Sequence, residues 1–182
     1  RLAPVPLFYA RDPRKAITLC GESSRTTHQA PSTIDGCRYL GALIIGALQG
    51  RDKETLLAPH YSPVPDYWKQ HPLCPEIAGI AAGSFKQSSP PAIRGTGYVK
   101  DSLEAALWAF FHGASFRDGC LLAINLGNDA DTTGAVYGQL AGAFYGETDI
   151  PPHWHARLAQ REMIETLAKQ LFDQAALQQQ AE

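Results

Sequence analysis

Neither sign of charge dominates this sequence. Its 16 lysines and arginines stand against 18 aspartates and glutamates, leaving a formal net charge of −2. So balanced a chain lacks the basic field that attracts phosphate backbones or anionic lipid, so neither nucleic acid nor a membrane is an expected partner. Long hydrophobic runs are missing as well. The longest, Tyr39 to Leu48, is about half of the roughly 20 residues that a bilayer-spanning helix needs. No charged start followed by an apolar signal region is present. Cysteine is sparse and scattered: Cys20, Cys37, Cys74 and Cys120 show no C-x-x-C spacing, and they read as reduced core thiols of a cytoplasmic protein rather than disulfides. No segment alternates apolar and polar residues convincingly, which removes the signal for a half-buried sheet, and no internal repeat is visible. The numbering opens at Arg1 without a methionine, as expected of a processed chain or a piece of a longer one.

What is present is a chain of 182 residues with 45% hydrophobic and 19% charged residues, enough for one sizeable core and too short to expect two domains. Arg1 to Ala10, apolar with Pro4 and Pro6, reads as an extended entry segment. Asp12-Pro13 has the form of a helix cap followed by proline at the first helical position, with Ala16, Ile17, Leu19 and Cys20 on the buried face. Pro31 opens a second helix, in which Ile34, Cys37, Leu40, Ile44 and Leu48 keep helical spacing, and Gly50 ends it. Seven of the 13 prolines fall between Arg51 and Tyr98, which excludes a long regular element there except around Pro75 to Phe85. Asp101 with Glu104 resembles a capping pair ahead of a helix burying Leu103, Ala106, Leu107 and Phe110. Ser115 with Asp118 starts another, with Cys120, Leu121 and Ile124 inward. After a Pro151-Pro152 turn, a last amphipathic helix places Ile164, Leu167, Ala168, Leu171 and Phe172 on one side, and a Gln178-Gln179-Gln180 tail is expected to fray. The fold class is all-α, with five or more helices and no sheet of three or more strands.

The chain is organised around Asn125-Leu126-Gly127-Asn128-Asp129-Ala130-Asp131-Thr132-Thr133-Gly134. Asp129, Asp131 and Thr132 bring two carboxylates and a hydroxyl together within four residues, the hard-oxygen chemistry that Mg²⁺ or Mn²⁺ prefers. Gly134, Gly138, Gly142 and Gly146 then recur every fourth residue, on one face of a central helix that something must press against closely. Several readings of the carboxylates compete. Acids at a helix start also serve as caps and suit the helix dipole. An EF-hand loop beginning at Asp129 fails, because its twelfth position is Leu140 where a bidentate Glu is needed. The D-x-D-x-T form of Asp129 to Thr133 also resembles the nucleophile motif of haloacid-dehalogenase-type phosphatases, which requires Asp129 at the end of a buried strand.

Elsewhere, His28 follows two threonines and an arginine in Ser23-Ser24-Arg25-Thr26-Thr27-His28, so it is either a phosphate or ribose contact or a structural helix-end histidine. Arg94-Gly95-Thr96-Gly97-Tyr98 is a glycine-bracketed loop whose backbone can approach a ligand, with Tyr98 able to stack on a base or to serve in packing. His153-x-His155 lies in the proline turn without a third ligand nearby in sequence and reads as structural. Cys37 and Cys120 sit on apolar faces without a histidine partner, so no thiol nucleophile is assigned.

The Asn125 to Gly134 stretch, continued by Gly138-Gln139-Leu140-Ala141-Gly142, resembles the C-terminal metal motif of the ADP-ribosylglycohydrolases, the superfamily that includes the dinitrogenase reductase-activating glycohydrolases. Ser23 to His28 with Asp35-Gly36-Cys37-Arg38-Tyr39, Gly97-Tyr98-Val99 with Ser102 to Trp108, and the final proline-rich turn fit the same pattern in the same order. The resemblance covers essentially the whole chain. It implies an all-α domain that holds two divalent cations, Mg²⁺ or Mn²⁺, and hydrolyses the glycosidic bond between ADP-ribose and a protein side chain of arginine type or a small acceptor. It implies Asp129, Asp131 and Thr132 as metal ligands, with Asp131 the bridging, catalytic one. His28 would contact the ADP-ribose, and Gly97 and Tyr98 would line its pocket. The family pattern opens upstream of Arg1 with an acidic glycine motif, a Thr-Asp-Asp metal site and a Gly-Asn-Gly loop ending in Met-Arg, of which Arg1 alone can match the last residue. The resemblance therefore implies that residues 1–182 are the C-terminal portion of a single domain. The non-enzyme alternative is an inactive ADP-ribose-binding module or scaffold remnant, and a Thr-Asp-Asp motif encoded upstream would favour the enzyme.

Overall fold

In a computed structural model describing residues 1–178, the chain forms eleven α-helices and two short 3-10 turns, and no strand among the described residues. In order these are α1 (Pro4–Phe8), α2 (Pro13–Arg25), α3 (Pro31–Leu48), α4 (Lys53–Leu56), α5 (Tyr67–Gln70), α6 (Pro75–Ala81), α7 (Val99–His112), α8 (Phe116–Ile124), α9 (Ala130–Tyr145), α10 (Pro152–His155) and α11 (Arg161–Gln178). The all-α expectation is met. Beyond Gln178, the tail expected to fray lies outside the described residues. None of the described helices is long and apolar enough to cross a membrane.

Local signals account for several helix starts. Asp12 Oδ1 accepts the Lys15 N–H at 3.0 Å, with Pro13 in the first turn of α2. Ser115 Oγ likewise accepts the Asp118 N–H at 3.1 Å at the start of α8. The expected extended entry is corrected to α1, because Pro4 and Pro6 occupy first-turn positions, where a helix needs no N–H donor. The Asp101–Glu104 capping pair is also corrected. Tyr98 takes the N-cap position of α7, Asp101 accepts from Thr96 Oγ1, and Glu104 accepts from Ser84 Oγ and Lys100 Nζ. Both acids are spent on the preceding loop, the 3-10 turn and a lysine of α7 instead of on capping the helix start.

The central helix is α3 rather than α9. From Tyr39 to Ala47 every residue of α3 is buried, and it packs between α2, α7 and α9. Leu43 and Ile45 are wholly enclosed, each contributing about 1.5–3 kcal/mol of hydrophobic stabilisation. The glycine that permits a close crossing is Gly41, where an added Cβ would stand 2.5 Å from Cys20 Sγ of α2. The stripe on α9 behaves otherwise. Among the described residues, added Cβ atoms at Gly138 and Gly142 would meet nothing within 4 Å, and Gly146 lies beyond the helix at φ +78°. The expected close packing holds at Gly134, where an added Cβ would stand 3.0 Å from Ile124 Cγ2 of α8, and is overturned at Gly138 and Gly142. Gly138→Ala and Gly142→Ala are each expected to stabilise this chain by about 0.5–1 kcal/mol, since the helix gains propensity without a clash. Urea unfolding midpoints check this, and a lowered midpoint would show the face to be covered.

Beneath α7, Lys53 Nζ donates to Phe110 O, Gly113 O and Tyr145 OH at 2.9, 2.7 and 2.7 Å, closing the end of α7 and tying it to the end of α9. On α8 the buried residues are Phe116, Gly119 and Ala123, while Cys120, Leu121 and Ile124 are only half-buried, a shift of one helical row from the expected face. At the other end of the chain, α11 does keep Ile164, Leu167 and Phe172 on its apolar side. They are 44%, 56% and 74% exposed, and Ala175 is buried.

Candidate metal and nucleotide site

Two successive left-handed residues, Gly127 at φ +72° and Asn128 at φ +58°, bend the chain from α8 into α9. Glycine and asparagine are the residues that adopt this backbone at least cost. Asp129 follows at the N-cap position of α9, and its backbone is held from both sides. Its N–H donates to Gly95 O at 2.7 Å, and its carbonyl accepts from both the N–H and the Oγ1 of buried Thr133, each at 3.0 Å. The Gly95-Thr96-Gly97 loop is pressed against this start. A Cβ at Gly95 would stand 2.6 Å from Thr133 Oγ1, and one at Gly97 would stand 2.8 Å from Asp129 Oδ2. Thr96 Oγ1 braces the loop by accepting the Tyr98 N–H and donating to Asp101 Oδ2.

With the backbone so fixed, the side chains stand apart from the protein's own bonding. The Asp129 carboxylate makes no capping hydrogen bond. Among the described residues, no hydrogen-bond donor or cation pairs with the carboxylates of Asp129 and Asp131, and the Thr132 hydroxyl makes no hydrogen bond. Asp129 and Thr132 are half-buried and Asp131 is exposed in the first helical turn. The capping reading of Asp129 thus loses its hydrogen bond. Asp131 retains the dipole benefit of an acid in a first turn, about 0.3–1 kcal/mol. The phosphatase reading is overturned, because a helix start carries Asp129 and no strand occurs among the described residues.

The remaining expected contacts sit on neighbouring loops. Tyr98 is 47% exposed, and its hydroxyl donates to the Glu76 carboxylate of α6 at 2.8–2.9 Å, leaving the ring face open. His28 is exposed on the α2–α3 loop, where its Nδ1 lies 2.9 Å from Thr27 Oγ1, which itself accepts from Arg1 at 2.6 Å. Gly97 and Asp129 are brought together, whereas no hydrogen bond among the described residues joins His28 to the Asp129 segment. A cavity of about 180 Å³ lies between these parts, lined by Arg1, Ser24, Cys37, Val99, Ser102 and Val136. A second, of about 680 Å³, runs past Gly95 and Asn128 to Trp108, whose buried Nε1 has no hydrogen-bond partner.

All four cysteines are free. Burial pushes the Cys20 thiol up to about 12, and burial also raises Cys37 despite the hydrogen bond of Ser24. Neither is a thiolate near neutrality, in keeping with the absence of an assigned thiol nucleophile. His155, expected from sequence to be structural and without a third ligand, stands beside Glu147 and Glu165. The three positions match no ligand spacing, so only the fold could unite them.

Comparison with known proteins bears on the whole of this arrangement. The family model described as ADP-ribosylglycohydrolase matches residues 1–181. An ADP-ribosylarginine hydrolase of Pseudomonas putida is 41% identical over 175 residues, covering 96% of this chain and 45% of that protein. One of Serratia proteamaculans is 38% identical over 172 residues, covering 94% of this chain and 44% of its own length. A solved structure titled ADP-ribosylglycohydrolase-related protein complex superposes with a TM-score of 0.83 at 40% identity, over 94% of this chain and 57% of that one. The chain thus spans less than half the length of these two hydrolases.

Proposed function

This chain belongs to the ADP-ribosylglycohydrolase family, and from that premise we propose that it carries the C-terminal, metal-holding part of a hydrolase that frees ADP-ribose from arginine side chains. The observation that carries the proposal is the pair of carboxylates at the start of α9, free of protein partners among the described residues, on a backbone clamped from both sides. Their donor set fits a hard divalent cation: two carboxylates and a hydroxyl, all oxygen, as Mg²⁺ and Mn²⁺ prefer. Asp129, Asp131 and Thr132 would hold two such ions, with Asp131 the ligand we assign the catalytic role. The ions' chemistry there is to hold ribose hydroxyls and polarise an attacking water.

The other residues act by position. Gly97, lacking a side chain beside Asp129 Oδ2, keeps the entrance to the carboxylates clear. The open face of Tyr98 is suited to stacking on an adenine, with its hydroxyl tethered to Glu76. The Arg1 guanidinium donates to Thr27 Oγ1, which lies 2.9 Å from His28 Nδ1, and the exposed imidazole so held is suited to hydrogen-bond a pyrophosphate oxygen. Asp129, Asp131 and Thr132 would supply only part of the coordination of two such ions. We therefore assign the remaining protein ligands to the part of the relatives that this chain does not span.

The test is Mn²⁺ titration calorimetry with an ADP-ribose release assay on ADP-ribosylarginine, for residues 1–182 alone and for the protein completed by its upstream coding sequence. The short chain is expected to bind Mn²⁺ weakly with little turnover, and the completed protein to bind tightly and release ADP-ribose. A completed protein that binds ADP-ribose without cleaving it would support the inactive binding module instead.

A further inference from the structure

Gly146 ends α9 and leads into a 3-10 turn that begins with Glu147. Pro151 and Pro152 then set α10, which ends on His155, and Gln160 at φ +56° redirects the chain into α11, which carries Glu165. The three side chains converge. His155 Nε2 lies 3.2 Å from Glu147 Oε1 and 3.6 Å from Glu165 Oε1, and one ligand atom of each residue lies within 4.8 Å of the others. A single imidazole nitrogen thus faces two carboxylate oxygens. It carries at most one proton, which can serve only one of them well.

We propose that Glu147, His155 and Glu165 form a transition-metal site, of the Zn²⁺ class, that fastens the start of α11 to the turn after α9. The imidazole nitrogen separates this site from the all-oxygen chemistry at Asp129, since nitrogen favours Zn²⁺ over Mg²⁺ or Mn²⁺. Two carboxylates and a neutral imidazole cancel the charge of a dication, and three protein ligands with one water complete a tetrahedron. The His155 side chain is only 21% exposed and sits on a helix started by two prolines, whereas Glu147 at 71% and Glu165 at 46% have room to close inward. Zinc–ligand bonds of about 2.0–2.2 Å require that closure. Arg161 Nε also meets Glu165 Oε1, at 2.5 Å, and the second carboxylate oxygen lets that pair persist when one oxygen ligates. The linkage has a mechanical consequence. Residues 161–170 of α11 are all exposed, so apolar burial does little to hold that half of the helix, and the cluster is its tie to the turn after α9.

The experiment uses the chelator-stripped chain carrying Asp129→Asn and Asp131→Asn, so that ions at the α9 start do not contribute, titrated with Zn²⁺ and with Co²⁺. One Zn²⁺ per chain is expected to bind saturably and to raise the melting temperature. Co²⁺ is expected to give the visible absorption of a four-coordinate nitrogen–oxygen site, bleached by added Zn²⁺. His155→Gln is expected to weaken Zn²⁺ binding by more than the roughly 10–100-fold typical of an outer-shell loss. Glu147→Gln, at an exposed position that leaves folding intact, is expected to weaken it by about tenfold or more. Non-saturable uptake, or equal Zn²⁺ affinity in parent and both variants, would overturn the site and leave a histidine hydrogen-bonded between two surface carboxylates.

Discussion

Asp131→Asn is expected to abolish both tight Mn²⁺ binding and ADP-ribose release in the completed protein, while leaving the fold in place. The asymmetry follows from where Asp131 stands. It is exposed in the first turn of α9 without a hydrogen bond or ion pair among the described residues. Its carboxylate therefore gives the fold only the helix-dipole term, about 0.3–1 kcal/mol. A ligand to a hard dication is asked for negative charge, and an amide of the same shape supplies none. The loss of binding should exceed the roughly 10–100-fold that a missing outer-shell partner costs a metal site. Thr132→Ala removes a neutral donor and should weaken binding less. Calorimetry with Mn²⁺, circular dichroism and the release assay, run on the same samples, separate these outcomes. Full activity in Asp131→Asn would return the carboxylate to the role of a helix-start acid and remove the main physical support for the hydrolase assignment.

What the sequence made legible was chemistry carried by residues close together in the chain. Asp12-Pro13 and Ser115 with Asp118 announced their helix starts because a cap and its N–H partner lie three residues apart. Asp101 and Glu104 have the same spacing and misled, because Thr96, Ser84 and Lys100 claim their carboxylates from the preceding loop, the 3-10 turn and α7 itself. Periodicity found the apolar side of α11 and the glycine side of α9 but could not say what meets either. Open space lies over Gly138 and Gly142, and solvent over Leu167 and Phe172. Likewise α3 showed an apolar stripe in sequence, and only the packing of α2, α7 and α9 around it shows it buried on every side.

The same divide runs through the site. Asp129, Asp131 and Thr132 were visible because one helical turn gathers them. The clamp that aims them was not, since it joins Gly95 to Asp129 and Thr133 across more than thirty residues. The glycines of the Gly95 to Tyr98 loop were expected to admit a ligand. Their immediate role is to admit the start of α9. Glu147, His155 and Glu165 lie on three successive elements at spacings that match no motif, so their convergence had no signature in the chain.

That clamp sets the second large effect. Gly95→Ala places a Cβ 2.6 Å from Thr133 Oγ1 and 3.3 Å from Gly127 O. Thr133 cannot swing aside, because it is wholly buried and its hydroxyl is bonded to the Asp129 carbonyl. The loop must therefore back away from α9, which stretches the 2.7 Å bond from Asp129 N–H to Gly95 O and releases the segment that aims the carboxylates. Overpacking of this kind is expected to destabilise by about 1–3 kcal/mol. Mn²⁺ affinity of the completed protein should fall with it, although no proposed ligand has been altered. Thr133→Ala provides the control. It removes the clashing oxygen at the cost of one hydrogen bond, about 0.5–1.5 kcal/mol, together with the buried γ-methyl. In that background the added methyl meets only Gly127 O at 3.3 Å and the remaining Cβ of residue 133 at 3.4 Å, so the penalty of Gly95→Ala should shrink, with a coupling of roughly 0.5–3 kcal/mol as for residues in contact. Urea unfolding of the parent, both single variants and the double variant measures the cycle. Additive costs would mean that the Gly95 loop and the start of α9 do not bear on each other, and the positioning role given to that contact would fall.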